Sequence, residues 1–119
     1  MGAIQRMGTT QRFSDAVVHN GLVYIVEVPP DATGDIQAQT ASLLASVDAL
    51  LLKTGSDRSR LLQVTIYLPD MADYDGMNTV WDAWVPAGTA PVRACIQAGL
   101  ANPAYKVEMV VVAALARDD

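Results

Sequence analysis

Leu61-Leu62-Gln63-Val64-Thr65-Ile66-Tyr67-Leu68 alternates in the way a half-buried β-strand requires, with Leu62, Val64, Ile66 and Leu68 on one side and Gln63, Thr65 and Tyr67 on the other. On either side of it the period changes. Downstream, Asp70 caps a helix whose expected buried stripe is Tyr74, Met77, Trp81 and Trp84, at steps of three and four, and Pro86-Ala87-Gly88 breaks it. Upstream, Ile36, Thr40, Leu43, Leu44, Val47, Leu50 and Leu51 recur at the same steps. Asp35 suits the start of that helix, where free N–H groups and the dipole favour an anion. Gly55 sits where a left-handed residue would stop it. A strand between two amphipathic helices is the kernel of the fold.

Further out, Ala16 to His19 and Leu22 to Glu27 are apolar runs joined by Asn20-Gly21, a dipeptide that tolerates positive φ and so predicts a tight hairpin. Pro29-Pro30 ends the second run, because proline donates no ladder hydrogen bond. Ile4 and Met7 suggest a short edge strand before it. Arg93 to Ala98 reads as a strand with Arg93, Cys95 and Gln97 on one face. Val107 to Leu115 is the last strand. Its Val107, Met109, Val111 and Ala113 face one way, and Glu108, Val110, Val112 and Ala114 the other.

This order predicts an α+β fold, a mixed sheet with both helices packed on one face. Two helices cannot blanket both faces, yet the last strand is apolar on both. Val110 and Val112 would leave an apolar patch open to water, and a second subunit is its simplest cover. Composition agrees: of 119 residues 51% are hydrophobic and only 18% charged, against about 25% charged in an average soluble domain. The length fits one domain, residues 1–119.

Other classes are set aside by charge and content. Eight Lys and Arg against 13 Asp and Glu, with no basic cluster, argue against a nucleic-acid partner. No apolar run approaches the ~20 residues of a membrane span, and no signal peptide opens the chain. One cysteine, Cys95, fits a reducing compartment, so a soluble cytoplasmic protein is expected. One His and one Cys cannot close a zinc shell, and no phosphate-binding glycine loop is present: Lys53-Thr54-Gly55-Ser56 has the wrong order. Neither metal nor cofactor is expected.

Two charges stand in otherwise apolar strands, Arg93 in Val92-Arg93-Ala94-Cys95-Ile96 and Glu108 in Val107-Glu108-Met109-Val110. Such charges are solvated, paired or lining a site. Two readings stay open: a structural ion pair, or a divided site in which Arg93 clamps a carboxylate and Glu108 holds a water. Cys95 shares the face of Arg93. With no histidine near it in the pattern, it reads as a small hydrophobe before it reads as a nucleophile.

Ala90-Pro91-Val92-Arg93-Ala94-Cys95-Ile96-Gln97, followed by Tyr105-Lys106-Val107-Glu108-Met109-Val110, resembles the C-terminal signature of the Rid (YjgF-like) reactive-intermediate deaminase family. Met77-Asn78-Thr79-Val80-Trp81 resembles its second-helix motif, and Phe13-Ser14-Asp15-Ala16-Val17 its N-terminal aromatic-Ser element. Trp81-Asp82-Ala83-Trp84 and Gln97-Ala98-Gly99-Leu100 are similar to the YoaB-like branch. The resemblance implies a chorismate-mutase-like fold, a homotrimer, and clefts between subunits. It implies hydrolysis of small 2-imino acids to 2-oxo acids and ammonia. Arg93 would bind the substrate carboxylate and Glu108 position the water. Cys95, Asn78, Phe13 and Ser14 would be in or near the pocket. This chain departs at Phe13, where the family has tyrosine, and at Glu27, about where the family has a glycine. A carboxylate there would crowd the cleft, repel an anion or pair with Arg93. The rival function is therefore a non-catalytic trimer that binds a small 2-oxo acid. An endoribonuclease or translation inhibitor, a role ascribed to some relatives, fits the acidic charge less well.

Overall fold

The computed structural model describes residues 2–116; Met1 and residues 117–119 lie outside the described residues. The strands are β1 (Gln5–Met7), β2 (Ala16–His19), β3 (Leu22–Glu27), β4 (Leu61–Leu68), β5 (Val92–Gln97) and β6 (Glu108–Ala114). The helices are α1 (Ile36–Thr54) between β3 and β4, and α2 (Tyr74–Trp84) between β4 and β5. The strand order is β1-β2-β3-β6-β4-β5. β6 is antiparallel to both β3 and β4, so those two are parallel to each other, and α1 carries the chain across from one to the other. β4 and β5 pair in parallel across α2. The last strand thus fills the gap that the first crossover leaves.

Local chemistry accounts for most boundaries. Asn20 and Gly21 take φ of 52° and 80°, and His19 pairs with Leu22 across the turn. The Asp35 carboxylate accepts from the Ala38 N–H at 2.9 Å and caps α1. Gly55, at φ 98°, closes α1 with its own N–H and that of Ser56 bonded back to Leu51 O.

Three expectations are corrected. Asp70 caps a single 3₁₀ turn, Met71–Asp73, and α2 grows from that turn without a side-chain cap of its own. Leu62 is exposed and Leu61 buried, because a register irregularity between Leu61 and Gln63 shifts the start of β4 by one residue and so swaps faces. Tyr74 is 37% exposed, whereas Met77, Trp81 and Trp84 are buried. It stands at the first turn of α2 with its hydroxyl bonded to Arg93.

One core results. Val23, Ile25, Val64, Ile66, Met109 and Val111 from the sheet meet Leu43, Leu44, Val47, Leu51, Met77 and Trp81 from the helices. Among the described residues no element covers the opposite face. Tyr24 is opposite Val112 there and Val26 opposite Val110, with Tyr24 and Val26 exposed and both β6 valines half-buried.

Candidate functional site

Arg93 pairs in register with Val64, a core residue, so its side chain leaves β5 on the helix-covered face. β5 is the edge strand, and what lies over it is one stripe of α2: Tyr74, Asn78 and Trp81, at i, i+4 and i+7. The guanidinium donates from Nη1 to Asn78 Oδ1 at 2.7 Å and from Nη2 to Tyr74 Oη at 3.2 Å. It stands 5.4 Å from the Trp81 ring centroid and 5.8 Å from that of Tyr74. A guanidinium has five donors, and these two bonds leave three without an acceptor among the described residues. The cation is thus gripped but not saturated, and can still offer a fork to a carboxylate.

Cys95 follows on the same side, opposite Ile66. Burial pushes its thiol pKa up, and the weaker pull of nearby Arg93 does not offset this. It is a neutral thiol at pH 7, poorly suited to be a nucleophile.

Glu108 lies elsewhere. It opens β6 opposite Tyr67. Tyr67 is three residues from Val64 along β4, so Glu108 is on the uncovered face while Arg93 is on the covered one. Glu108 lines a concavity of about 560 Å³ together with Phe13, Ser14, Asp15, Val26, Glu27, Val28, Ala101 and Tyr105. A shallower hollow on the uncovered face shares Glu108, Val26 and Ala101 and adds Tyr67 and Leu100. Phe13 is 63% exposed at the rim, and the Ser14 hydroxyl is 2.7 Å from that of Thr9.

Glu27 is tied down. Its carboxylate accepts from the Ser46 hydroxyl of α1 at 2.6 Å and from its own neighbour's N–H, Val28, at 3.1 Å. Among the described residues the one salt bridge is Arg58–Asp48, so Arg93 is paired with neither Glu27 nor Glu108 in the chain. The structural ion pair that was one reading of Arg93 and Glu108 is absent.

The residues singled out from the sequence therefore form two groups: Arg93, Asn78 and Cys95 on one side of the sheet edge, and Phe13, Ser14, Glu27 and Glu108 in one concavity. Sequence reasoning missed Tyr105, and treated Tyr74 and Trp81 as core alone. The available signal for the latter was that Tyr74, Asn78 and Trp81 share one helical stripe.

Comparisons with known proteins agree with this architecture. Residues 3–115 match the family described as Endoribonuclease L-PSP. The RutC family protein YoaB of Escherichia coli (strain K12) is 50% identical over 112 residues, 94% of this chain and 98% of that one. A RutC family protein of Haemophilus ducreyi is 46% identical over 113 residues, 94% of this chain and 97% of that one. The crystal structure of NMB1025, a member of the YjgF protein family from Neisseria meningitidis, superposes with a TM-score of 0.93 at 46% identity over 98% of each chain. The helix-backed mixed sheet is thus the YjgF-like fold. The chain belongs to the Rid (YjgF-like, RutC) family, with YoaB-like proteins among its similar relatives.

Proposed function

We propose that this protein is an imine deaminase that hydrolyses small 2-imino acids to 2-oxo acids and ammonia in clefts between the subunits of a homotrimer. The observation that carries the reading is the Arg93 guanidinium, held by Asn78, Tyr74 and Trp81 with donors to spare. Arg93 binds the substrate carboxylate with its fork, which sets the imine carbon at a fixed distance. Glu108 holds the water. The water oxygen bonds to the carbon of the protonated imine as Glu108 takes a proton from it, and the C=N π pair settles on nitrogen. Glu108 returns that proton to the nitrogen of the resulting carbinolamine; the C–N bond then breaks as the hydroxyl oxygen forms the C=O bond, ammonia leaves with the bonding pair, and the hydroxyl proton passes to Glu108. An iminium carbon is already electrophilic, so the about 10²–10⁴-fold typical of acid–base help suffices.

Arg93 and Glu108 stand on opposite faces of one sheet, so one copy of the chain does not aim both at one substrate. A second copy seated on the uncovered face would complete the cleft and bury Tyr24, Val26, Val110 and Val112 at the same time. The test is a coupled assay with imino acid released in situ by an amino-acid oxidase or dehydratase. Purified protein should raise the hydrolysis rate above buffer, and Arg93→Ala should remove that increment while the assembly keeps its mass. No increment in the wild type, or an undiminished one in the variant, sinks the reading.

The second reading, a trimer that binds a small 2-oxo acid without chemistry, is favoured by Glu27, whose carboxylate lines the concavity. Binding of 2-oxobutanoate that depends on Arg93, with no rate enhancement, selects it. The ribonuclease named in the description of the matched family is not adopted for this chain, with its eight basic and 13 acidic residues.

A further inference from the structure

Gln39 is a carboxamide only 1% exposed in the helix–sheet interior. Its Nε2 donates toward three carbonyls, Ala32 O at 3.0 Å, Gly34 O at 3.1 Å and Ala104 O at 3.0 Å. Its Oε1 accepts from the Lys106 N–H at 2.8 Å. Three carbonyl acceptors and one N–H donor converge there, and an amide serves both kinds, its two N–H hydrogens shared among the three carbonyls and its oxygen accepting. A carboxylate would face three carbonyl oxygens, and leucine would leave all four groups unpaired.

Those partners belong to two segments. Ala32 and Gly34 lie in the connection from β3 to α1, just past Val28; Ala104 and Lys106 lie in the connection from β5 to β6, which carries Ala101 and Tyr105. Val28, Ala101 and Tyr105 are walls of the Glu108 concavity. Val107, buried in the core, anchors the far end of the second connection, and few hydrogen bonds hold the rest of it. Its start is fixed by Ala98 N–H to Leu68 O, and its other bonds, Tyr105 N–H to Asn102 O and Ala104 N–H to Asn102 Oδ1, are internal. Between Ala98 and β6 every hydrogen bond to a distant element, among the described residues, runs through Gln39.

We propose that Gln39 is the positioning residue of this cleft: its buried amide clamps the β5–β6 connection to the start of α1 and so sets where Tyr105 and the leading end of β6, with Glu108, stand. The clamp itself is independent of the reaction. Its kinetic consequence rests on the imine-deaminase reading.

The experiment combines amide hydrogen exchange of the intact protein with steady-state kinetics on imino acid released in situ, for Gln39→Leu and Gln39→Glu. In Gln39→Leu, amides 99–106 should exchange at least about tenfold faster while β4 and β6 keep their protection. The kcat should fall about tenfold or more with KM changed less than about threefold, since Arg93 on β5 does not touch this loop. In Gln39→Glu, burial among carbonyls raises the pKa of the introduced carboxyl. Its protonated form can donate to one carbonyl and accept from Lys106, so loop protection and kcat should recover at low pH and be lost as pH rises through that value. Loop exchange in folded Gln39→Leu at the wild-type rate overturns the proposal. Should that variant not fold, Gln39→Glu decides alone, and equal intrinsic-rate-corrected protection at both ends of the pH range overturns it. A wild type that turns over no imino acid removes the deaminase reading, and the exchange data then decide the clamp.

Discussion

Arg93 shows how much of a site can depend on one side chain and the few that orient it. Replacement by lysine keeps the charge and loses the fork, so carboxylate binding should weaken by about tenfold or more even though the net charge is unchanged. Removing the orienting acceptor by Asn78→Ala frees the guanidinium to swing, and KM should rise by about tenfold, a hydrogen bond to a charged group having been lost. Titration of 2-oxobutanoate into both variants checks this without relying on turnover. Cys95 behaves in the opposite sense to a reactive thiol. Its pKa is raised in the folded chain, so the neutral form is favoured by folding, and that preference disappears as pH climbs through the folded-state value. Alkylation by iodoacetamide should therefore be slower at pH 7 than for an exposed cysteine, and its midpoint should lie at higher pH. Brisk labelling at pH 7 would contradict the burial argument. The sequence placed Arg93 and Cys95 on one strand face by period alone. It could not say that the carboxylate of Glu27 is held by Ser46, 19 positions along the chain, because only packing of β3 on α1 makes them neighbours.

At the scale of elements, caps and turns decide where helices and strands begin and end. Asp35→Ala removes the bond to Ala38 N–H and should cost about 1 kcal/mol in denaturant unfolding, with little change in m. Gly55→Ala should destabilise through its φ of 98° and not through crowding, since the nearest atom to an added Cβ is Leu115 Cδ2 at 3.7 Å. Leu43→Ala, fully buried where α1 meets the sheet, should cost about 2–5 kcal/mol. These elements were legible because their signals are local: Asn20-Gly21 for the hairpin, Asp35 and Gly55 for α1, strict alternation for β6. The misreadings were tertiary in origin. Perfect alternation across Leu62 to Leu68 concealed the irregularity at Leu61, which exists because β6 pairs with β4 there out of step. Tyr74 fits an apolar stripe by spacing, but its turn of α2 meets the sheet edge, where Arg93 gives its hydroxyl a partner.

For the whole molecule, the deciding feature is a sheet with helices on one side only. The uncovered side carries exposed Tyr24, Val26 and Ile96 around the half-buried β6 valines. A charge placed at its middle, as in Val112→Asp, should break the proposed trimer and lower the sedimentation coefficient to that of a monomer, while the helix-side core stays folded. Unchanged mass would mean that the assembly uses another surface. If the cleft is completed by a neighbour, the same variant should also lose turnover although Val112 touches neither Arg93 nor Glu108. Among the described residues no helix is long and apolar enough to cross a membrane.

The chain of residues by itself determined the two helices, the strands and most of their inward faces, the Asn20-Gly21 turn, the two ends of α1 and the family, because each rests on spacing over a few residues or on a short ordered signature. Only the tertiary structure decided that Arg93 and Glu108 leave the sheet on opposite sides, that α2 grips the guanidinium, and that Gln39 ties two distant connections together. Those facts depend on which strands become neighbours and on which side the helices land. Spacing along the chain does not encode a partner 67 positions away; the packed core brings it within reach.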